Sequence, residues 1–423
     1  MLRDKTVKET CWSLAAKLTT FPLLLALSIF LARTLGVENY GTWAFFYSVL
    51  NVLLIISLFG VNSSARKFIA QHNYTPALKS VLWSSVKMRA AFSLAGAVVL
   101  LLGHSWIANA AGRPDLASLF LLAAPLLLLH GFVEFLKAAF AGLHRLKYNF
   151  IINSIEYGGK LVTTVLLLTA FRAISAVVLS YIIADALTVA VGFFLLYRKF
   201  YAPIRGSTSG QYMSDILSYS VPLFFISIAF LINTEIDTIM IGLLHGDYEV
   251  GIYAAGKEFI TKLPHLSLAI AMGTMPIFAK ITERNKAYLR QRFHKILGIV
   301  AVPIAGILVL LVIAAPWLIP LFYGDAYAAS VPVFQVLAIY AMSTSISLLV
   351  SNLLDYTGRA RRRAINLTLS VLLNVALNIL LIPRYGAIGA ATATTVSGIP
   401  ALALNWQELR QVFRPNPAPR GRS

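Results

Sequence analysis

Long apolar runs separated by short polar breaks set the pattern of this chain. A membrane hydrocarbon core needs about 20 apolar residues of helix. Twelve runs meet that length, over 10–32, 42–65, 82–103, 116–140, 149–171, 174–197, 214–243, 251–278, 298–320, 331–354, 364–383 and 387–409. Pro22, Pro125, Pro222, Pro264, Pro276, Pro303 and Pro400 lie inside or at the ends of these runs. Proline frees a carbonyl and kinks a helix, which neighbours in a membrane bundle tolerate.

One break organises the rest. Residues Leu31 to Ala44 join two apolar runs through Gly36-Val37-Glu38-Asn39-Tyr40-Gly41, and Ile241 to Ala255 do the same through Gly246-Asp247-Tyr248-Glu249-Val250-Gly251. Setting Gly41 on Gly251 gives an offset of 210, and three more matches follow in order. Trp106 matches Trp317, Asn153 matches Asn366, and Ala173-Ile174-Ser175-Ala176 matches Ala387-Ile388-Gly389-Ala390, at offsets of 211, 213 and 214. Chance agreement between Leu- and Ala-rich helices explains one match and not four collinear ones, so the chain is an internal duplication.

Composition agrees. The 423 residues are 58% hydrophobic and 13% charged, with a mean hydropathy of +0.75. Soluble domains carry roughly 45–50% apolar and about 25% charged residues. The fold class expected is therefore all-α integral membrane, twelve transmembrane helices in two pseudo-two-fold-related lobes around a central cleft. The first apolar run is too long for a cleavable signal peptide and lacks an Ala-x-Ala exit.

The net charge of +19 would suit nucleic acid, but its placement does not. With the N-terminus inside, the inner segments hold 28 of the 36 Lys and Arg, whereas the outer turns hold only Arg33, Arg113, Arg172 and Arg384. This is the positive-inside bias of an inner-membrane protein with both termini cytoplasmic, aided by anionic lipid headgroups. No nucleic-acid partner is expected. The implied organisation is a six-helix lobe over 1–198, a Pro/Gly/Ser-rich cytoplasmic linker over 199–213, a second lobe over 214–409 and a basic tail over 410–423. Residues 280–297 alternate basic and apolar positions and read as an amphipathic helix on the inner surface.

Ionisable residues inside apolar helices are expensive, and they mark pairs or wet cavities. The basic ones are Lys17, Lys160, Lys257 and Lys262; the acidic ones are Glu134, Glu156, Asp185, Glu235, Asp237 and Glu258. Two readings compete. In the first they are structural ion pairs: Glu156 with Lys160 and Glu258 with Lys262 at i,i+4, and Asp237 with Lys257 at matched depth. In the second, Lys17, Lys160, Lys262 and Lys257 line a cationic cleft for a phosphate or pyrophosphate, since lysine is a point charge suited to phosphate. Asp185, Glu134, Glu156, Asp237 and Glu258 are then candidates for ion coupling or charge pairing.

Other chemistries are not encoded. No Gly-x-x-x-x-Gly-Lys-Ser/Thr or His-Glu-x-x-His motif occurs, and the histidines at 72, 104, 130, 144, 245, 265 and 294 are scattered. Cys11 is the single cysteine, so neither a disulfide framework nor a cysteine metal cluster exists within the chain. No cofactor is expected, and the short outer turns leave no room for a catalytic domain.

Five stretches together carry a resemblance: Leu35 to Gly41, Asp237 to Gly242, Glu249 to Ala255, Leu321 to Tyr327 and Asn378 to Ala391. They resemble the oligosaccharide-flippase branch of the multidrug/oligosaccharidyl-lipid/polysaccharide exporter superfamily. The resemblance implies two lobes that rock between inward-open and outward-open states, and no enzymatic activity. It implies as substrate a polyprenyl-pyrophosphate-linked oligosaccharide moved outward for O-antigen, capsule or exopolysaccharide. Its partners would be membrane lipids and the polysaccharide polymerase and chain-length machinery. Many members have fourteen helices; this chain is expected to have twelve. A cation-coupled multidrug antiporter of the same superfamily is the nearest alternative, and a membrane glycan polymerase or ligase the alternative from a different class.

Overall fold

A computed structural model describes residues 2–206, 208–260, 263–264 and 286–413. Helices account for nearly all of them, and no strand occurs among the described residues. In chain order they are α1 (Leu2–Leu58), α2 (Val61–His72), α3 (Leu78–Ala110), α4 (Ala117–Gly142), α5 (Leu146–Phe171), α6 (Ile174–Leu196), α7 (Met213–Leu244), α8 (Asp247–Ile260), α9 (Lys286–Tyr323), α10 (Ser330–Tyr356) and α11 (Ala360–Phe413). Only closed hydrogen-bonded structures survive in lipid, because an unpaired peptide group there costs several kcal/mol. Among the described residues eight helices are long and apolar enough to cross a membrane.

Two of these eight are paired spans. α1 breaks at Gly36 (φ 76°) and α11 at Gly386 (φ 53°), so the pairs 10–32/42–65 and 364–383/387–409 each turn on one glycine. α7 occupies the seventh expected span, and α8 opens the eighth, whose remainder lies outside the described residues. One expectation is corrected. The run 42–65 is not one helix: Phe59 (φ 44°) and Gly60 (φ 69°) end α1 and turn the chain into the polar helix α2. Of the stretch 280–297, read as an amphipathic helix, residues from Lys286 on are helical and run without interruption into the apolar part of α9, and the rest lies outside the described residues.

The chain forms two compact units, Met1–Ile239 and Met240–Ser423. Within the 199–213 segment Ser209 is pinned to α3: its N–H and its hydroxyl meet Ser80 Oγ at 3.3 and 3.2 Å, and its carbonyl accepts from Ser84.

The duplication is written in the backbone. Left-handed residues recur in pairs: Gly36 and Gly246, Gly112 and Gly324, His144 and Gly358, Arg172 and Gly386, at offsets of 210, 212, 214 and 214. Helix ends are therefore placed alike in the two halves. The second half uses glycine at each, whereas the first carries His144 and Arg172 in a region that costs a side chain roughly 1–2 kcal/mol. Trp106 and Trp317 are 74% and 69% exposed near the C-terminal ends of α3 and α9, where interfacial tryptophans sit.

The core of the first unit lies between α2, α3, α4, α5 and α6. Phe135, Leu136, Ala139 and Phe140 of α4, with Leu143 just past its end, meet Ile69, Val81, Leu82, Ile152 and Leu196. Small residues let the helices approach: a Cβ at Gly142 would stand 2.7 Å from the Arg66 carbonyl, and one at Gly192 would overlap Leu136. This close packing holds α4, α5 and α6 in the register that builds the site.

Candidate functional site: a buried charge network on α4, α5 and α6

Helical spacing arms each of the three helices with charge on one face. On α4, His130, Glu134 and Lys137 stand at i, i+4 and i+7; on α5, Glu156 and Lys160 stand at i and i+4; α6 contributes Asp185. Packing brings the three faces together into one alternating chain.

Glu134 Oε1 accepts from Lys137 Nζ at 2.6 Å, and the same ammonium reaches Glu156 Oε2 at 2.6 Å. Lys160 Nζ lies 2.9 Å from Glu156 Oε1 and 3.0 Å from Asp185 Oδ1. His130 Nδ1 closes the series at 3.1 Å from Asp185 Oδ2 and 3.9 Å from Glu156 Oε1. Glu156, Asp185 and Lys160 are 0%, 1% and 3% exposed. Aromatic faces wall them in: Lys160 Nζ is 5.0 Å from the Tyr181 ring centre and Lys137 Nζ 5.2 Å from that of Tyr157, distances at which a ring attracts a cation.

Three carboxylates face two ammonium groups and one imidazole. With His130 neutral the network carries one net negative charge, and with His130 protonated it carries none. An isolated charge is costly in this low-dielectric setting, so the network has room for one additional cation or proton. His130, Glu156 and Asp185 offer ligand atoms within 4.8 Å of one another. Both carboxylates already hold lysine ammonium groups, so a divalent ion would have to displace Lys160.

For Glu156 and Lys160 the structure shows the ion pair, and Lys160 is not an unmatched cation. Glu134 and Asp185 join the same network. Lys17 is exposed on α1, without an ion pair among the described residues. Lys257 is half-buried on α8, its Nζ 5.5 Å from the Tyr253 ring centre, and Glu258 beside it is half-buried. Asp237 is buried on α7, while Glu235 accepts from Asn51 Nδ2 at 3.2 Å. Lys262 lies outside the described residues.

Lys137 and His130 are not among the ionisable residues that the sequence singles out. Their signal was the one-face spacing 130, 134, 137 on an otherwise apolar helix. Arg89, fully buried on α3, is likewise not singled out. Its guanidinium donates to the Ser57 and Leu58 carbonyls at the end of α1, the second at 3.0 Å, and to Ser93 Oγ at 2.9 Å. A cation on the last carbonyls of a helix meets its negative dipole end. Gly131, next to His130, has no room for a side chain because a methyl would overlap Ser93 Oγ.

This geometry defines a class: a multi-pass membrane protein of two duplicated helical units, with a buried network of charge in the first. The same fold is found in solved structures. It superposes on a structure described as lipid II flippase MurJ in an inward closed conformation with a TM-score of 0.77, at 17% identity, covering 95% of this chain and 89% of the other. It superposes on an inward-facing multidrug resistance MATE family transporter with a TM-score of 0.76, at 14% identity, covering 93% and 95%. The polysaccharide biosynthesis protein family matches residues 6–282, and the MatE family matches residues 222–380. The chain belongs to the polysaccharide biosynthesis protein family. It is 25% identical over 359 residues to the lipopolysaccharide biosynthesis protein WzxC of Escherichia coli K12, covering 84% of this chain and 70% of that protein. It is 24% identical over 389 residues to an uncharacterized membrane protein of Methanocaldococcus jannaschii, covering 87% and 89%.

Proposed function

We propose that this protein moves a polyprenyl-pyrophosphate-linked oligosaccharide from the inner to the outer leaflet of the cytoplasmic membrane, by alternating access of its two lobes. The observation that carries this reading is the family match over residues 6–282, joined to a whole-chain likeness to a lipid II flippase. The product would feed O-antigen, capsule or exopolysaccharide assembly, where a polysaccharide polymerase and its chain-length machinery receive it. The N-terminus and C-terminus are both cytoplasmic in this reading, on the positive-inside bias.

In this mechanism Lys17, Lys257 and Lys262 attract the pyrophosphate, whose charge is otherwise very costly in a low-dielectric cleft. Lys160 acts differently. It is bound between Glu156 and Asp185, so it sets the charge state of the α4–α6 network and does not meet the substrate directly. The network takes up one proton or monovalent cation to reach neutrality, and that uptake biases one lobe conformation over the other. Asp237 and Glu258 remain charge-pairing positions.

The test is a deletion strain probed with a membrane-impermeant sugar label. Loss of surface glycan with a lipid-linked saccharide trapped on the inner leaflet supports the flippase. Normal glycan with new sensitivity to cationic dyes supports the second reading, a cation-coupled multidrug antiporter, which the MatE match over 222–380 and the acid excess of the network favour.

A further inference from the structure

We propose that a groove at the N-terminal end of α9 binds the phosphodiester headgroup of an anionic glycerophospholipid, with one acyl chain laid along the same helix. The groove has a volume of about 630 Å³ and is lined by Lys286, Ala287, Arg290, Gln291, His294 and Phe413. None of these is acidic. Lys286, Arg290 and His294 step by four residues, so they form one ridge of the helix.

The side chains are aimed for this use. His294 Nδ1 is engaged by the Arg290 carbonyl at 2.7 Å, which leaves Nε2 for a ligand. Arg290 has no ion-pair partner among the described residues. Phe413 and Trp406 supply an apolar wall, with ring centres 6.1 and 6.3 Å from His294. Cationic pockets beside membrane helices are the general form of anionic-headgroup sites.

The ridge below the cations separates a lipid from a free phosphate. Continuing by four from His294, it runs Gly298, Val302 and Gly306. A Cβ at Gly298 or at Gly306 would meet nothing within 4 Å, and Val302 between them is 70% exposed. Two bare glycines on an exposed apolar ridge form shallow depressions where a hydrocarbon chain lies against backbone. From His294 to Gly306 the helix descends about 18 Å at 1.5 Å per residue, roughly the depth of one leaflet including its headgroups. Soluble phosphate needs the cations alone; a phospholipid needs both parts of the ridge.

The test is native mass spectrometry of the purified full-length protein, titrated with phosphatidylglycerol and separately with phosphatidylcholine. The wild type is expected to hold one phosphatidylglycerol in preference, by about fivefold or more. Arg290→Gln combined with His294→Gln should abolish the preference, and Gly298→Leu, which keeps every cation, should weaken phosphatidylglycerol several-fold. Should the double variant fail to purify, Gly298→Leu and an Arg290→Lys control that retains the preference decide the matter. An unchanged preference in the charge variant overturns the proposal. So does displacement of the lipid by millimolar inorganic phosphate together with indifference to Gly298→Leu, which assigns the groove to a free anion.

Discussion

Lys160 on α5 and Asp185 on α6 meet at 3.0 Å in a setting where neither side chain is more than 4% exposed. The bond ties two neighbouring helices of the first unit, and the second carboxylate on Lys160, Glu156, comes from its own helix one turn earlier. Breaking such a buried pair from one side strands a charge, whereas removing both charges does not.

Lys160→Met is therefore expected to destabilise the protein by about 3–5 kcal/mol, and Lys160→Met with Asp185→Asn by clearly less. Thermal unfolding in detergent reads the difference as a double-mutant cycle. A double variant no more stable than the single one would show that the two charges are not coupled.

Arg89→Met removes the cation on the Ser57 and Leu58 carbonyls and leaves them buried without a donor. The expected cost is about 1–3 kcal/mol per orphaned group. Arg89→Lys should lose only part of this, because one ammonium cannot reproduce a fork across two carbonyls and a hydroxyl. Hydrogen exchange at the end of α1 should rise in both variants, and more in the methionine.

In the second unit Glu249 Oε2 accepts from the Ala387 N–H at 2.8 Å, and a Cβ on Gly386 would stand 2.5 Å from that oxygen. Gly386→Ala therefore meets both a left-handed backbone and a carboxylate, with an expected cost of about 2 kcal/mol or more. Glu249→Ala should remove the clash but not the backbone term, so the double variant should recover part of the loss. Arg172, the matching residue of the first unit, is already left-handed, and Arg172→Gly should unfold no sooner than the wild type.

Lys17 makes no ion pair among the described residues and is exposed, so Lys17→Gln should change stability by no more than about 0.5 kcal/mol. If it attracts the pyrophosphate, surface glycan export should fall while expression and melting temperature hold. Full export in Lys17→Gln, Lys257→Gln and the combined variant would remove the cationic-cleft mechanism.

The sequence by itself determined the membrane class, the positions of most helices and the duplication. Each is a local or repeated property: an apolar run long enough to span lipid must be helical, and a repeat shows as collinear motifs at a steady offset. It also placed Glu156 and Lys160 on one helix face, because residues four apart share it, but left open whether Lys160 pairs there or lines a cleft. Only the tertiary structure decided what surrounds that pair. Asp185, His130 and Lys137 reach Lys160 and Glu156 from other helices, and one-dimensional spacing contains no information about which faces of three helices turn toward one another. The same reason hid Arg89: a basic residue near the polar end of an apolar run reads as a loop cation until packing places it over the open carbonyls of another helix. The break at Phe59 and Gly60 was illegible too. The apolar run passes through it unbroken, and a Cβ on Gly60 would stand 2.5 Å from the Ser220 carbonyl, a contact made 160 residues away along the chain.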